Sequence, residues 1–139
     1  MKAFLDSSTF IYGLEFLDSN SAEILDLLAA RRIRAYINEM VIEEVKRYFR
    51  ARRDRHFAYM VEILLRSNCT VISLDEFSGE IDALRSKIKE KDLHHIAAAR
   101  AHNLRFLVAY DSDFEPFPEY VTPRQFMVRM GHKPKQMEY

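Results

Sequence analysis

The sequence predicts an α/β protein, a three-layer α/β/α sandwich around a central, mostly parallel sheet of four to five strands. Two observations lead there. Short apolar runs alternate with helix-length amphipathic segments, the order that builds a parallel sheet covered on both faces. Two of those runs, Ala3-Phe4-Leu5 and Phe106-Leu107-Val108-Ala109, are unbroken by polar residues, as strands buried in the middle of a sheet are. Each is followed by carboxylates, and the strand ends are where open α/β sheets bind ligands.

The elements follow in order. After the first strand come Asp6-Ser7-Ser8-Thr9 and then Phe10-Ile11-Tyr12, read as a short helix ending near Gly13. Ser19-Asn20-Ser21 supplies a cap for a helix over 22–32, where Ile24, Leu25, Leu28 and Ala29 recur at helical spacing. Ala35-Tyr36-Ile37 is a second strand, and Asn38 caps the helix that runs on into an arginine-rich stretch. On that helix Val41, Val45, Tyr48 and Phe49 form one apolar stripe. Glu43 then faces solvent, while Glu44 falls at the margin of the stripe, beside the core. A further amphipathic helix covers 57–65, Thr70-Val71-Ile72 forms a third strand, and 73–77 is read as its exit loop. A helix over 81–88 closes in the charged run 87–91, and Asp92 opens an alanine-rich helix that ends at Asn103. After the strand at 106–109, Pro116 and Pro118 break 115–119, Tyr120-Val121 adds an edge strand, and Thr122-Pro123 starts a last helix.

A chain of 139 residues fits one domain, placed at 1–131 with a polar tail over 132–139 that is expected to be mobile. Lysine plus arginine number 21 and aspartate plus glutamate 21, so only the local distribution of charge can steer a ligand. With Cys69 the sole cysteine, an intrachain disulfide and a CxxC metal knuckle are excluded. No apolar run reaches the roughly 18 residues of a membrane span, and Met1-Lys2 leads straight into a strand rather than a signal peptide. The expected setting is the reducing cytoplasm.

Asp6 and Asp111 each close a strand, Asp92 starts a helix, and Glu44 lies near the start of the helix after the second strand. Singly, each has an ordinary reading: Asp6 as a helix cap, Asp92 as a carboxylate favoured by the helix dipole, Glu44 as a surface helix former, Asp111 and Asp113 as turn residues. Together they suggest convergence, because right-handed crossovers put all strand ends of a parallel sheet on one edge. Two carboxylates about 5 Å apart repel by about 3 kcal/mol at an effective dielectric near 20, so protons or a cation must relieve them. Oxygen donors without cysteine or histidine companions suit Mg²⁺ or Mn²⁺, ions that pair carboxylates with substrate phosphates. The chemistry anticipated at such an edge is attack of an activated water on a phosphodiester.

These motifs resemble the PIN-domain nucleases, the family that includes VapC-type toxins. The resemblance runs from Lys2 to about Gly131 and rests on Phe4-Leu5-Asp6-Ser7-Ser8, Val41-Ile42-Glu43-Glu44-Val45, Asp92-Leu93-His94-His95-Ile96-Ala97-Ala98-Ala99 and Asp111-Ser112-Asp113-Phe114, with Thr122-Pro123-Arg124-Gln125-Phe126 also familiar. It implies an acidic catalytic site of Asp6, Glu44, Asp92 and Asp111, with Asp6, Asp92 and Asp111 as metal ligands and Ser8 and Asp113 as secondary members. It also implies a Mg²⁺- or Mn²⁺-dependent endoribonuclease that leaves a 5′ phosphate and a 3′ hydroxyl, a small antitoxin partner and a homodimer. Two positions depart from the pattern: Ser8 stands where many members have asparagine, and Ala109 where a threonine or serine often precedes the last acidic motif. A catalytically weak or inactive domain that binds RNA or a protein partner is the alternative these departures keep open.

Lys46, Arg50 and Arg53 share the outward side of the third helix, with Arg47 nearby, and are candidates for RNA phosphate contacts; a solvated helix face is the plainer reading. Tyr48 or Tyr59 adds stacking if exposed. His94 and His95 are neighbours on a helix and point apart, which favours structural roles, although His95 lies three residues from Asp92 and within reach of it. GxSxG and GxxxxGK[ST] turns are missing, and there are only three glycines, which excludes serine-hydrolase, P-loop and dinucleotide-binding chemistry. An aspartyl-phosphate phosphatase built on Asp6-x-x-x-Phe10 fails because Ser8 stands where a second acid is needed.

Overall fold

Ala3, Phe4 and Leu5 are fully buried because the strand they form runs down the middle of the sheet. In the computed structural model, which describes residues 1–84 and 90–136, the strands are β1 (Lys2–Leu5), β2 (Arg34–Asn38), β3 (Cys69–Ile72), β4 (Leu107–Val108) and β5 (Tyr120–Val121). Their order is β3-β2-β1-β4-β5, with every neighbouring pair parallel. The chain therefore steps outward from β1 to β2 and β3, and then resumes on the other side with β4 and β5. The reversal lies between β1 and β4, and the crevice at the carboxyl ends of such a pair is where doubly wound sheets bind their ligands.

The helices are α1 (Ser7–Glu15), α2 (Asn20–Ala29), α3 (Glu39–Arg52), α4 (Arg55–Asn68), α5 (Leu74–Leu84), α6 (Glu90–Ala101) and α7 (Pro123–Arg129). In the first group α1 packs on α2 and α3, and α3 on α4; α5 packs on α6, which lies across β2, β1 and β4. Right-handed crossovers place those two groups on opposite faces, which completes the three layers. Side-chain caps fix several helix starts: Asp6 accepts from the Ser8 amide, Ser19 from Ala22, Asn38 from Val41, Asp54 from Phe57 and Thr122 from Gln125. Each cap contributes about 1 kcal/mol. Leu93, His95, Ile96, Ala97, Ala98 and Ala99 on α6 are all completely buried, and the small side chains let this helix lie close to the sheet.

Four details differ from the sequence reading. Gly13 does not end α1, which continues to Glu15; a Cβ at Gly13 would come within 2.7 Å of Leu25 Cδ1 and 3.0 Å of the Ser21 backbone, so the glycine serves the close approach of α1 and α2. Leu74 already begins α5, because Ser73 donates its amide (2.7 Å) and hydroxyl (3.1 Å) to Glu76 Oε2, fixing the first turn. β4 has two residues where four were expected. The segment after Gly131 is held to α2: Lys135 donates its amide to Asn20 Oδ1 at 2.7 Å, accepts from Asn20 Nδ2 at 3.1 Å, and reaches Asp18 with its ammonium at 2.8 Å. The expected charged run over 87–91 falls mainly outside the described residues. Asn103, at φ 54, terminates α6 in the left-handed conformation that asparagine tolerates.

Candidate functional site

β1 ends at Leu5, so the next side chain, Asp6, projects from the carboxyl edge of the central strand. It is 5 % exposed. Its Oδ2 accepts from the Ser8 hydroxyl at 2.6 Å and the Ser8 amide at 3.1 Å, and its own amide donates to Val108 O at 3.0 Å, tying the β1 exit to β4. Asp6 is thus a cap and an edge carboxylate at once. Ser8 Oγ also accepts from the Tyr110 amide at 3.3 Å, so one hydroxyl braces both strand exits.

The group facing Asp6 is His95. Its Nε2 stands 3.2 Å from Asp6 Oδ1 and 3.5 Å from Glu44 Oε1, as charge contacts rather than aligned hydrogen bonds. On the other side of the ring, Asn38 spends Oδ1 on the Val41 amide (3.0 Å), which turns its Nδ2 toward His95 Nδ1 at 3.1 Å. That orientation favours a bare Nδ1, whereas the carboxylates favour a fully protonated ring. Each carboxylate contributes about 5 kcal/mol of attraction at an effective dielectric near 20, and a misdirected amide contact costs about 1–3 kcal/mol. The carboxylates win. Burial opposes charge on the ring, yet Asp6 and then Glu44 raise the His95 pKa to about 9. Burial alone would push the Asp6 carboxyl up; His95 and Ser8 outweigh it and hold Asp6 below the usual carboxylate range.

Two groups of possible metal ligands result. Asp6, Glu44 and His95 offer atoms within 4.8 Å of one another, and so do Asp92, Asp111 and Asp113. Helix α6 contributes to both, Asp92 to one and His95, three residues on, to the other. Asp92 is buried, Asp111 half-buried and Asp113 exposed, and Asp111 Oδ1 accepts from the Asp113 amide at 2.9 Å. Asp6, Ser8, Glu44 and Asp111 line a single groove of about 860 Å³, while Asp92 joins them through Asp111. The all-carboxylate group suits a hard divalent cation such as Mg²⁺ or Mn²⁺, whereas in the histidine-containing group the protonated ring already offsets one of the two carboxylate charges.

The basic residues separate. Arg47 lines the groove. Lys46 is engaged with Glu62 at 3.0 Å and Glu43 at 3.6 Å; Arg53 reaches Glu15 at 3.3 Å and lies over the Phe57 ring; Arg50 is exposed. His94 lies edge-on to Phe77 of α5. The sequence reading missed His95 as a site residue. The available signal is an aspartate and a histidine one turn apart, set among Leu93, Ile96 and the alanines 97–99 that mark the helix's buried side.

The chain resembles a toxin-antitoxin complex from Klebsiella pneumoniae (TM-score 0.70, 22% identity, 87% of this chain and 97% of that one). It also resembles VapBC2 from Rickettsia felis, solved bound to a DNA fragment from its promoter (TM-score 0.69, 18% identity, 88% and 97%). A third similar structure is VapC20 from Mycobacterium tuberculosis, described as a sarcin-ricin loop cleaving toxin (TM-score 0.62, 16% identity, 82% and 93%). At these identities the likeness concerns the fold. No curated protein sequence matches the chain. The PIN domain sequence family matches residues 3–119, which include Asp6, Glu44, Asp92, Asp111 and Asp113. With that match spanning most of its length, the chain belongs to the PIN domain family.

Proposed function

We propose that the protein is a divalent-metal-dependent endoribonuclease that hydrolyses RNA phosphodiester bonds, acting in the cytoplasm as the toxin of a toxin-antitoxin pair. The observation that carries the reading is the acidic edge at the β1/β4 switch point, where Asp6, Glu44 and Asp111 share one groove and Asp92 and Asp113 adjoin Asp111. Family membership and likeness to toxin structures support it.

Asp92, Asp111 and Asp113 would hold Mg²⁺ or Mn²⁺, with Asp6 and Glu44 completing the negative edge. Such an ion acidifies a bound water and neutralises charge on a phosphate. The chain's own residues do the rest. Ser8 and His95 fix the Asp6 carboxylate, and His95 keeps Glu44 beside it, so the acceptors are arranged before substrate arrives. Asn38 and the buried surroundings leave the imidazole no room to turn away from the two acids.

The test is cleavage of a labelled single-stranded RNA with Mg²⁺ or Mn²⁺, by the parent protein and by Asp6→Asn and Asp92→Asn. The expected result is metal-dependent cutting that both variants abolish and EDTA stops. Unchanged cutting by both variants would dispose of the site, and binding without cutting under every metal tried would leave a non-catalytic RNA-binding domain. Co-expression with a small protein encoded beside the gene, followed by co-purification, tests the antitoxin.

A further inference from the structure

The groove that carries Asp6, Glu44 and Asp111 extends between α1 and α3, and much of its wall is aromatic. Tyr110, the residue before Asp111, has its ring centroid 4.9 Å from that of Tyr12, and Tyr12 lies 4.5 Å from Phe16. The three rings form a ladder leading from the acids to the end of α1, where Phe16 is 55 % exposed. On the opposite wall Tyr48 donates its hydroxyl to Glu15 Oε2 at 3.0 Å. Glu15 also contacts Arg52 at 3.6 Å, and the Arg52 guanidinium stands 5.6 Å from the centre of the Tyr48 ring. Arg47, one helical turn from Glu44, makes no ion pair among the described residues and opens onto the same groove.

A phosphate alone has no use for such walls, but a nucleobase does, because every base has a flat π face that stacks on an aromatic ring. The ligand that fits is therefore flat and apolar at the rings, anionic at Arg47 and Arg52, and able to bring a phosphate to the carboxylates. An apolar, basic peptide would satisfy the acids and the rings, but both arginines would repel it. We propose that this groove reads an unpaired nucleotide flanking the bond to be cut, with its base on the Phe16 end of the ladder and its phosphate on Arg47 and Arg52. The inference rests on the nuclease reading and adds a requirement: the substrate must be unstacked next to the cleavage point.

The experiment uses a fluorescein-labelled single-stranded oligouridylate and a fully abasic oligomer of the same length. Binding is followed by fluorescence anisotropy in EDTA, so that nothing is cut. Phe16→Ala weakens oligouridylate binding about tenfold, the usual effect of losing one stacked base. It leaves abasic binding unchanged, and Phe16→Trp restores the parent affinity. Arg47→Ala weakens both probes alike. Affinity of Phe16→Ala for oligouridylate within twofold of the parent, or an equal loss on both probes, overturns the proposal. So does finding that Phe16→Ala abolishes capture of an apolar, basic peptide while sparing RNA. Metal-dependent cleavage insensitive to Phe16 sinks this inference alone; base-dependent binding by a protein that cuts no RNA sinks the nuclease reading and leaves the groove a single-strand site.

Discussion

Replacing His95 with phenylalanine keeps a buried ring and deletes the positive charge between Asp6 and Glu44. In the parent, the His95 pKa rises from 6.5 to about 9 on folding, so folding favours the charged ring. The stability it contributes is complete below about pH 6.5, declines as pH climbs and is lost above about 9. The difference between those two values corresponds to on the order of 3 kcal/mol, a sizeable share of a small domain's stability. Asp6 acts at the other end of the scale: held below its ordinary range, it stabilises the fold above that range and ceases to do so on strong acidification. In His95→Phe no ring proton remains to be lost, so the decline through pH 6.5 to 9 disappears apart from a shallow loss near pH 9 as the Cys69 thiol, held protonated by burial, ionises in the unfolded chain. Stability is also lower, because carboxylates within 4.8 Å now repel unscreened, by about 3 kcal/mol at an effective dielectric near 20. Urea unfolding followed by circular dichroism across that pH range, in protein stripped of divalent ions, reads both effects. A parent profile that is flat from pH 6.5 to 9, or a variant that falls as steeply, would refute the reasoning.

Three further outcomes are expected. Ser8→Ala removes the 2.6 Å bond to Asp6 and the acceptor for the Tyr110 amide; metal-dependent cleavage slows about tenfold or more, as for a hydrogen bond to a charged group, with the circular dichroism spectrum unchanged. Gly13→Ala gains about 1 kcal/mol of helix propensity but pushes a methyl group against Ser21 and Leu25, so a net loss of about 1–2 kcal/mol appears in urea unfolding. Burial raises the Cys69 thiol to about 12; iodoacetamide therefore labels it slowly in the native protein and readily in urea, as mass spectrometry will show.

The sheet was legible wherever hydrophobicity is continuous. Ala3-Phe4-Leu5 reads as an inner strand because both faces are covered, and β2 is recognisable for the same reason. β4 is shorter than its apolar run because only Leu107 and Val108 find strand partners on both sides, at β1 and β5; Phe106 accepts from Phe4 on one side and Ala109 donates to Val121 on the other. Gly13 was misread because a glycine that ends a helix and one that lets two helices touch look alike without the neighbour. The α5 start is legible in Ser73-Leu74-Asp75-Glu76, a capping pattern that outweighs the loop-like composition of 73–77. At the candidate site, the carboxylates were visible as residues at element ends. The partition was not: Asp92 and His95 sit one turn apart, yet each approaches a different set of acids, which depends on where α6 crosses the sheet. The tail contact of Lys135 with Asn20 joins positions too distant for any local pattern to foretell.

The inner position of β1 also governs the order in which the molecule can assemble. β2 emerges early in synthesis and can pair with β1 at once, but the other flank of β1 stays bare until Phe106, Leu107 and Val108 have been made, since Phe4 and Asp6 donate their amides to Phe106 and Val108. Asp111 and Asp113 arrive only after that. A growing polypeptide therefore carries Asp6 and Glu44 through most of translation without the carboxylates that flank Asp92, and a chain cut short before Leu107 never acquires them.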